Sequence, residues 1–353
     1  MSADEGCSRR ADAARAPARP ARRALIKRAG ALAWATAWGL SAGAAAADIG
    51  TAPPGAAAPP TSPPTSPPTS PPTPPRRVIT LNWELTETLL ALGVTPIGTA
   101  LPQWYRDTIV TPTLPASVVD VGLLYQPNFD LLLELAPDLF VITPGHASAR
   151  HWLARLAPTL TLSMYMSSPT PYRALCEETV IMATRLGVAG RALALIDEAR
   201  RTTQAVRARL AARAGWLAAP VLVAELVDDR HLRVYGAGSL FDDMLTQLGV
   251  ANAAHPRTGD GGWATQAGAA LVPLQRLAAA PQASLLLVGP VAPPMRAMLE
   301  KNAIWQALPA VRRRRVANLP VIAPYGGLVS MQRFAIAVEA ALGSLANGGG
   351  RDA

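Results

Sequence analysis

The sequence predicts an α/β protein of two Rossmann-like lobes with parallel sheets, joined by one long interdomain helix. Three observations carry this. Short apolar segments alternate with helical ones along most of the chain, the pattern of parallel sheets. A proline-free stretch from 189 to about 213 places apolar or small residues every three or four positions. The chain has 353 residues, half of them hydrophobic, enough for two domains with sizeable cores.

Taken in order, residues 77–82 predict a short buried strand and 84–92 a helix stopped by Gly93. Residues 94–98 predict the next strand. A helix over 128–135 is broken at Pro137-Asp138, and 139–142 form an apolar strand. The long helix carries Leu193, Ile196, Ala199, Thr203, Val206 and Leu210 on one face. Strands over 220–226 and 284–288 resume the alternation. The expected organisation is an N-terminal α/β lobe at 76–188, a connecting helix at 189–216 and a C-terminal α/β lobe at 217–346, with a disordered tail at 347–353. Two lobes on one rigid connector place a ligand in the cleft between them.

Residues 1–47 read as a signal peptide of the twin-arginine type. Arg22-Arg23 is followed by Leu25 and Lys27, then by an apolar run of 15 residues from Ala29 to Gly43, then by Ala45-Ala46-Ala47. The run is short for a membrane span. Residues 48–75 read as a Pro-rich disordered linker, with Thr-Ser-Pro-Pro repeats that can form neither helix nor sheet. The predicted location is the periplasm.

Charge and motifs narrow the function classes. The chain holds 33 basic and 24 acidic residues; without 1–47, which hold eight and three, the excess is four. That is too little for a nucleic-acid binder. No Gly-x-Ser-x-Gly elbow, phosphate loop or supported Cys-His pair is present, so the chain reads as a non-enzyme. Cys176 stands alone in the mature chain and reads as a small buried hydrophobe. Of the histidines His146, His151, His231 and His255, the last two fall in turn-like segments and no histidine-rich acidic loop is present, a poor set for a metal. Arg312 to Arg315 read as a solvated turn.

Three blocks then carry a family resemblance. VVDVG at 118–122 leads into PNFDLL at 127–132 and LAPDL at 135–139; GSLFDDML at 238–245 leads into LGVANA at 248–253; WQALPAV stands at 305–311. In this order they resemble the helical-backbone (class III) solute-binding proteins of ABC importers, and most of all the ferric-hydroxamate binders, over about 76–346. The resemblance implies a ferric siderophore chelate as ligand, held in the cleft and delivered to an inner-membrane ABC permease with its ATPase. It implies no cofactor and no metal bound by the protein itself, and the carrier is expected to be monomeric. Haem, cobalamin or metal-ion binders of the same superfamily, or a tethered surface protein, are the alternatives.

By resemblance the cleft residues are Trp263, in a Gly-rich loop, and Tyr325. The pair Tyr105-Arg106 and the neighbouring Trp104 belong with them. At Leu124 the family has an arginine that donates to the chelate, and at His146 it has a tyrosine. His146, Tyr125 and Arg106 are the candidate replacement donors, because an imidazole can donate from either nitrogen. Two acidic docking positions of the family are His151 and Gln275 here, with Asp242 and Glu134 as neighbouring acids.

Overall fold

Residues 74–162, 164–257 and 263–348 are described by the computed structural model. The predicted signal peptide, nearly all of the Pro-rich linker, the loop at 259–262 and the end of the tail lie outside them.

Two five-stranded sheets organise the chain. The first comprises β1 (Val78–Thr80), β2 (Gly98–Thr99), β3 (Val119–Asp120), β4 (Leu139–Ile142) and β5 (Thr159–Thr161), in the order β3-β2-β1-β4-β5 with every pairing parallel. Strand residues alternate between two cores, as the two-residue period requires. Val78, Leu139 and Val141 join Leu85, Leu89 and Met182 on one face. Ile79, Phe140 and Ile142 join Leu132 and Leu153 on the other. Covering both faces is the rule for parallel sheets.

The second sheet comprises β6 (Val221–Leu226), β7 (His231–Tyr235), β8 (Ala269–Pro273), β9 (Ser284–Val288) and β10 (Val316–Leu319), in the order β10-β9-β6-β7-β8. Here the structure departs from the expectation of a purely parallel sheet. β6, β9 and β10 are parallel, whereas β7 is antiparallel to both β6 and β8. The reason lies in the short connection at 227–230, which cannot hold a crossover. Asp228 closes it as a hairpin turn, its Oδ1 accepting from the backbone N–H of Arg230 at 2.8 Å and of His231 at 2.7 Å.

The long helix runs Ala189–Ala211. Its buried stripe is Ala192, Ile196, Ala199, Thr203, Val206 and Leu210, a strict four-and-three spacing. Leu193 is not on it and is 59% exposed, because it lies one residue, about 100° of helix turn, away from the stripe. Ile196, Ala199, Val206 and Leu210 pack with Met331, Phe334 and Val338 of the C-terminal helix Leu328–Ala346 and with Val221 and Val223 of β6. That C-terminal helix is apolar enough to cross a membrane by length and composition, but its apolarity serves this core, which buries half of it.

Glu87 ties the first lobe to this helix. It sits on the helix Trp83–Ala91, is fully buried, and accepts from the backbone N–H of Gly327 and Ser330, each at 2.8 Å, and from Ser330 Oγ at 2.7 Å. Gly327 is the N-cap and has no side chain to satisfy the helix's first N–H groups, so a carboxylate from the other lobe does it. Arg333 adds a second tie, donating to Ile109 O at 2.8 Å and Val321 O at 2.7 Å.

Candidate functional site

A cavity of about 560 Å³ opens between the two sheets, within the range of small-molecule sites. Most of its wall lies just beyond the carboxyl ends of parallel strands, where open α/β sheets bind ligands. Asn82, Trp83 and Glu84 follow β1; Leu124 and Tyr125 follow β3; Gly289 and Pro290 follow β9; Val321 to Tyr325 follow β10. Glu225 near the end of β6 and Arg233 of β7 complete it from the second lobe.

Trp83 is held by its own geometry. Asn82 caps the helix by accepting from Glu84 N at 3.0 Å, the indole N–H donates to Ala100 O at 3.0 Å, and the ring stacks on Trp104 at 5.7 Å and 7°. Trp104 is itself 56% exposed and stands behind Trp83, outside the cavity wall. Tyr125, 58% exposed, lies against the His146 ring at 5.1 Å. Tyr325 is partly buried, and its carbonyl accepts a short hydrogen bond from the Tyr165 hydroxyl. Burial raises the Tyr325 phenol pKa; nearby Arg233 opposes the rise and Glu225 adds to it, so the three groups share one electrostatic environment.

Of the residues expected from sequence, Leu124, Tyr125 and Tyr325 line the cavity. The other five lie outside its wall, Trp104 as described above. His146 is buried, and both ring nitrogens are engaged. Nε2 lies 2.7 Å from Leu124 O, a partner that can only accept, so Nε2–H donates there. Nδ1 then accepts from Thr143 Oγ1 at 2.9 Å and Thr143 N at 3.2 Å. His146 therefore fixes the turn that carries Tyr125 and has no donor left for a ligand. Tyr105 is fully buried and donates to Pro112 O at 2.7 Å; loss of water around the hydroxyl raises its pKa, with Glu87 adding to the effect. Arg106 is partly exposed and outside the wall.

Trp263 is the largest correction. It is 5% exposed and packs with Leu222, Val234, Val272 and Leu285 in the second lobe's core. The glycines before it suggested an open loop, but the indole packs in the core formed on one face of β6, β7 and β9. Its N–H meets no acceptor among the described residues.

The sequence reading missed Trp83, Met166, Glu225 and Arg233. Trp83 had a signal, its place directly after the first strand of a parallel sheet. Arg233 had none, since it reads as the outward residue of an alternating strand. At the expected docking positions, His151 and Gln275 are both exposed, as is Glu134. Asp242 is buried and accepts from Asn252 Nδ2 at 2.8 Å, so it cannot serve at the surface. Cys176 is partly buried, and Arg312 to Arg314 are exposed. Among the described residues no group of three or more His, Cys, Asp or Glu side chains is placed to hold a metal ion.

Known proteins share this architecture. The Iron(3+)-hydroxamate-binding protein FhuD of Escherichia coli (strain K12) is 31% identical over 272 residues, 77% of this chain and 88% of its own length. The achromobactin-binding periplasmic protein of Dickeya dadantii is 27% identical over 179 residues, half of this chain and 56% of its own. The crystal structure of Fe3+-Desferal-bound siderophore-binding protein FhuD from Vibrio cholerae superposes with a TM-score of 0.69 at 24% identity, covering 76% of this chain and 97% of that one. The family described as periplasmic binding protein matches residues 78–323. With two α/β lobes, one connecting helix and a cavity between them, the chain belongs to the periplasmic binding protein family, in its helical-backbone class.

Proposed function

We propose that this protein is the solute-binding component of an iron-siderophore ABC importer, taking a ferric hydroxamate-type chelate into the interlobe cavity and delivering it to an inner-membrane permease with its ATPase. The observation that carries the reading is the cavity itself. It is wide enough for a small iron chelate, draws its wall from both lobes, and presents Trp83, Tyr125 and Tyr325 as flat apolar faces. The relatives above, whose names assign them iron(3+)-hydroxamate and achromobactin binding, support the ligand class. Binding without turnover matches the relatives, whose names describe binding proteins.

The site proposed for the ligand is Trp83, Leu124, Tyr125 and Tyr325, with Trp104 bracing Trp83 from behind. Export fits the relatives, which include periplasmic binders, and the twin-arginine route through Arg22-Arg23 is the expected path. The carrier acts as a monomer, organised as the two lobes and connector at 76–188, 189–216 and 217–346, preceded by the leader and the Pro-rich linker. Permease docking involves the exposed surfaces around His151 and Gln275.

Tryptophan fluorescence tests the reading. Trp83 in the wall should be quenched by ferric desferrioxamine in a saturable one-site titration, with iron-free desferrioxamine, haem and cobalamin giving no saturable change. Saturable quenching by haem or cobalamin with no response to any ferric siderophore would reject the ligand class.

A further inference from the structure

Among the described residues that line the cavity, Arg233 is the one with a cationic side chain. It faces Glu225 across the β6–β7 ladder, where the two are register partners. Its Nη1 donates to Glu225 Oε2 at 2.9 Å, and the Tyr235 hydroxyl donates to the same oxygen at 2.9 Å. The guanidinium is thus strapped to the sheet, yet its side chain is 43% exposed at the cavity. A guanidinium carries five N–H donors in a rigid fork, and the bond to Glu225 uses one. On the first lobe, Leu124 occupies the position where the resemblance expects an arginine, and it can donate nothing. The donor absent there is present on the second lobe, in the same cavity.

The wall's charge points the same way. Glu84 and Asp107 line the same cavity, and Glu225, the partner of Arg233, is a third acidic residue in its wall. A site with an excess of carboxyl groups disfavours a polyanionic chelate. A ferric trihydroxamate suits it, because three singly charged hydroxamates cancel the ferric charge while each oxygen still accepts a hydrogen bond.

We propose that Arg233, braced by Glu225 and Tyr235, donates to the iron-bound oxygens of the chelate, and that the surrounding carboxyl groups restrict the site to chelates of zero or positive net charge. This rests on the siderophore reading above and adds to it the recognising group and the charge class of the ligand.

The test is a set of fluorescence titrations of the full chain with three probes: cationic ferric desferrioxamine, neutral ferrichrome and a trianionic ferric tris-catecholate. Wild type should bind the first two at least about tenfold more tightly than the third. Arg233→Gln with Glu225→Gln, a neutral pair that leaves no unmatched charge, should weaken both hydroxamates by roughly ten- to a hundredfold at unchanged melting temperature. Leu124→Arg in that background should recover part of the loss from the opposite wall. Glu225→Gln alone should shift the ratio of affinities toward the tris-catecholate, a change that a merely structural role would not produce. Binding by the double variant within about twofold of wild type, or equal affinity for the tris-catecholate and the hydroxamates, would overturn the proposal while leaving the carrier reading intact. Failure of wild type to bind any of the three would overturn both.

Discussion

Glu87 is the residue whose loss should cost the fold most, and the size of the loss can be worked from its contacts. Its carboxylate is fully buried and satisfies Gly327 N, Ser330 N and Ser330 Oγ at the start of the C-terminal helix. Glu87→Ala leaves two buried backbone N–H groups without a partner, each costing about 1–3 kcal/mol. The expected destabilisation is therefore about 2–6 kcal/mol, read as a lower urea midpoint at unchanged slope. Glu87→Gln keeps one acceptor oxygen and turns an NH₂ toward the remaining donors, so it should fall between alanine and wild type. The pair of variants also carries a pH signature. Burial raises the Glu87 pKa above 4.5, opposed by its hydrogen bonds to Gly327 and Ser330 and by Arg333. The folded state then holds this proton more tightly than the unfolded state. The group's contribution is greatest below pH 4.5 and declines as pH rises through the folded value. Wild type should show that slope and Glu87→Gln should lack it. A loss under about 1 kcal/mol for Glu87→Ala would refute the claim that this carboxylate locks the lobes together.

Other outcomes follow from the same geometry. Trp83→Ala should weaken ferric chelate binding by roughly three- to tenfold, as expected for an aromatic contact of about 0.5–1.5 kcal/mol, and should abolish most of the quenching amplitude in a fluorescence titration. Trp263→Ala should lower stability by about 3–5 kcal/mol in denaturant melts, whereas chelate affinity of the folded fraction stays at wild-type level, because the indole belongs to the core. Trp263→Phe should cost far less, since it removes an N–H that finds no acceptor among the described residues. Burial pushes the Cys176 thiol pKa up to about 11. Its reaction with a disulfide reagent at neutral pH should be slow and should accelerate as pH approaches that value, and fast labelling at pH 7 would contradict its placement.

The fold was legible because its signals are local. Apolar strands such as 139–142 and 284–288 and the stripe from Ile196 to Leu210 are set by period and length alone. The hairpin of β6 and β7 was equally readable from its four-residue connection, and expecting parallel strands throughout passed over it. The site was less legible because its residues are fixed by contacts distant in sequence. His146 and Leu124 are 22 residues apart, and nothing at either position announces that the imidazole is already engaged there. Trp263 follows a run of glycines, which mimics an exposed loop; only the packing of Leu222, Val234 and Leu285 reveals the vacancy it fills. Arg233 alternates in its strand like any outward polar residue, and its place in the cavity wall emerges only when β10 and the first lobe close the other sides.

The central claim is that one ferric chelate occupies the interlobe cavity, and equilibrium dialysis against iron-labelled ferric desferrioxamine tests it most directly. Wild type should retain one iron per chain, and the variant Trp83→Ala with Tyr325→Ala should retain much less at the same free chelate concentration. Retention of no iron by wild type, or equal retention by the two proteins, would contradict the account.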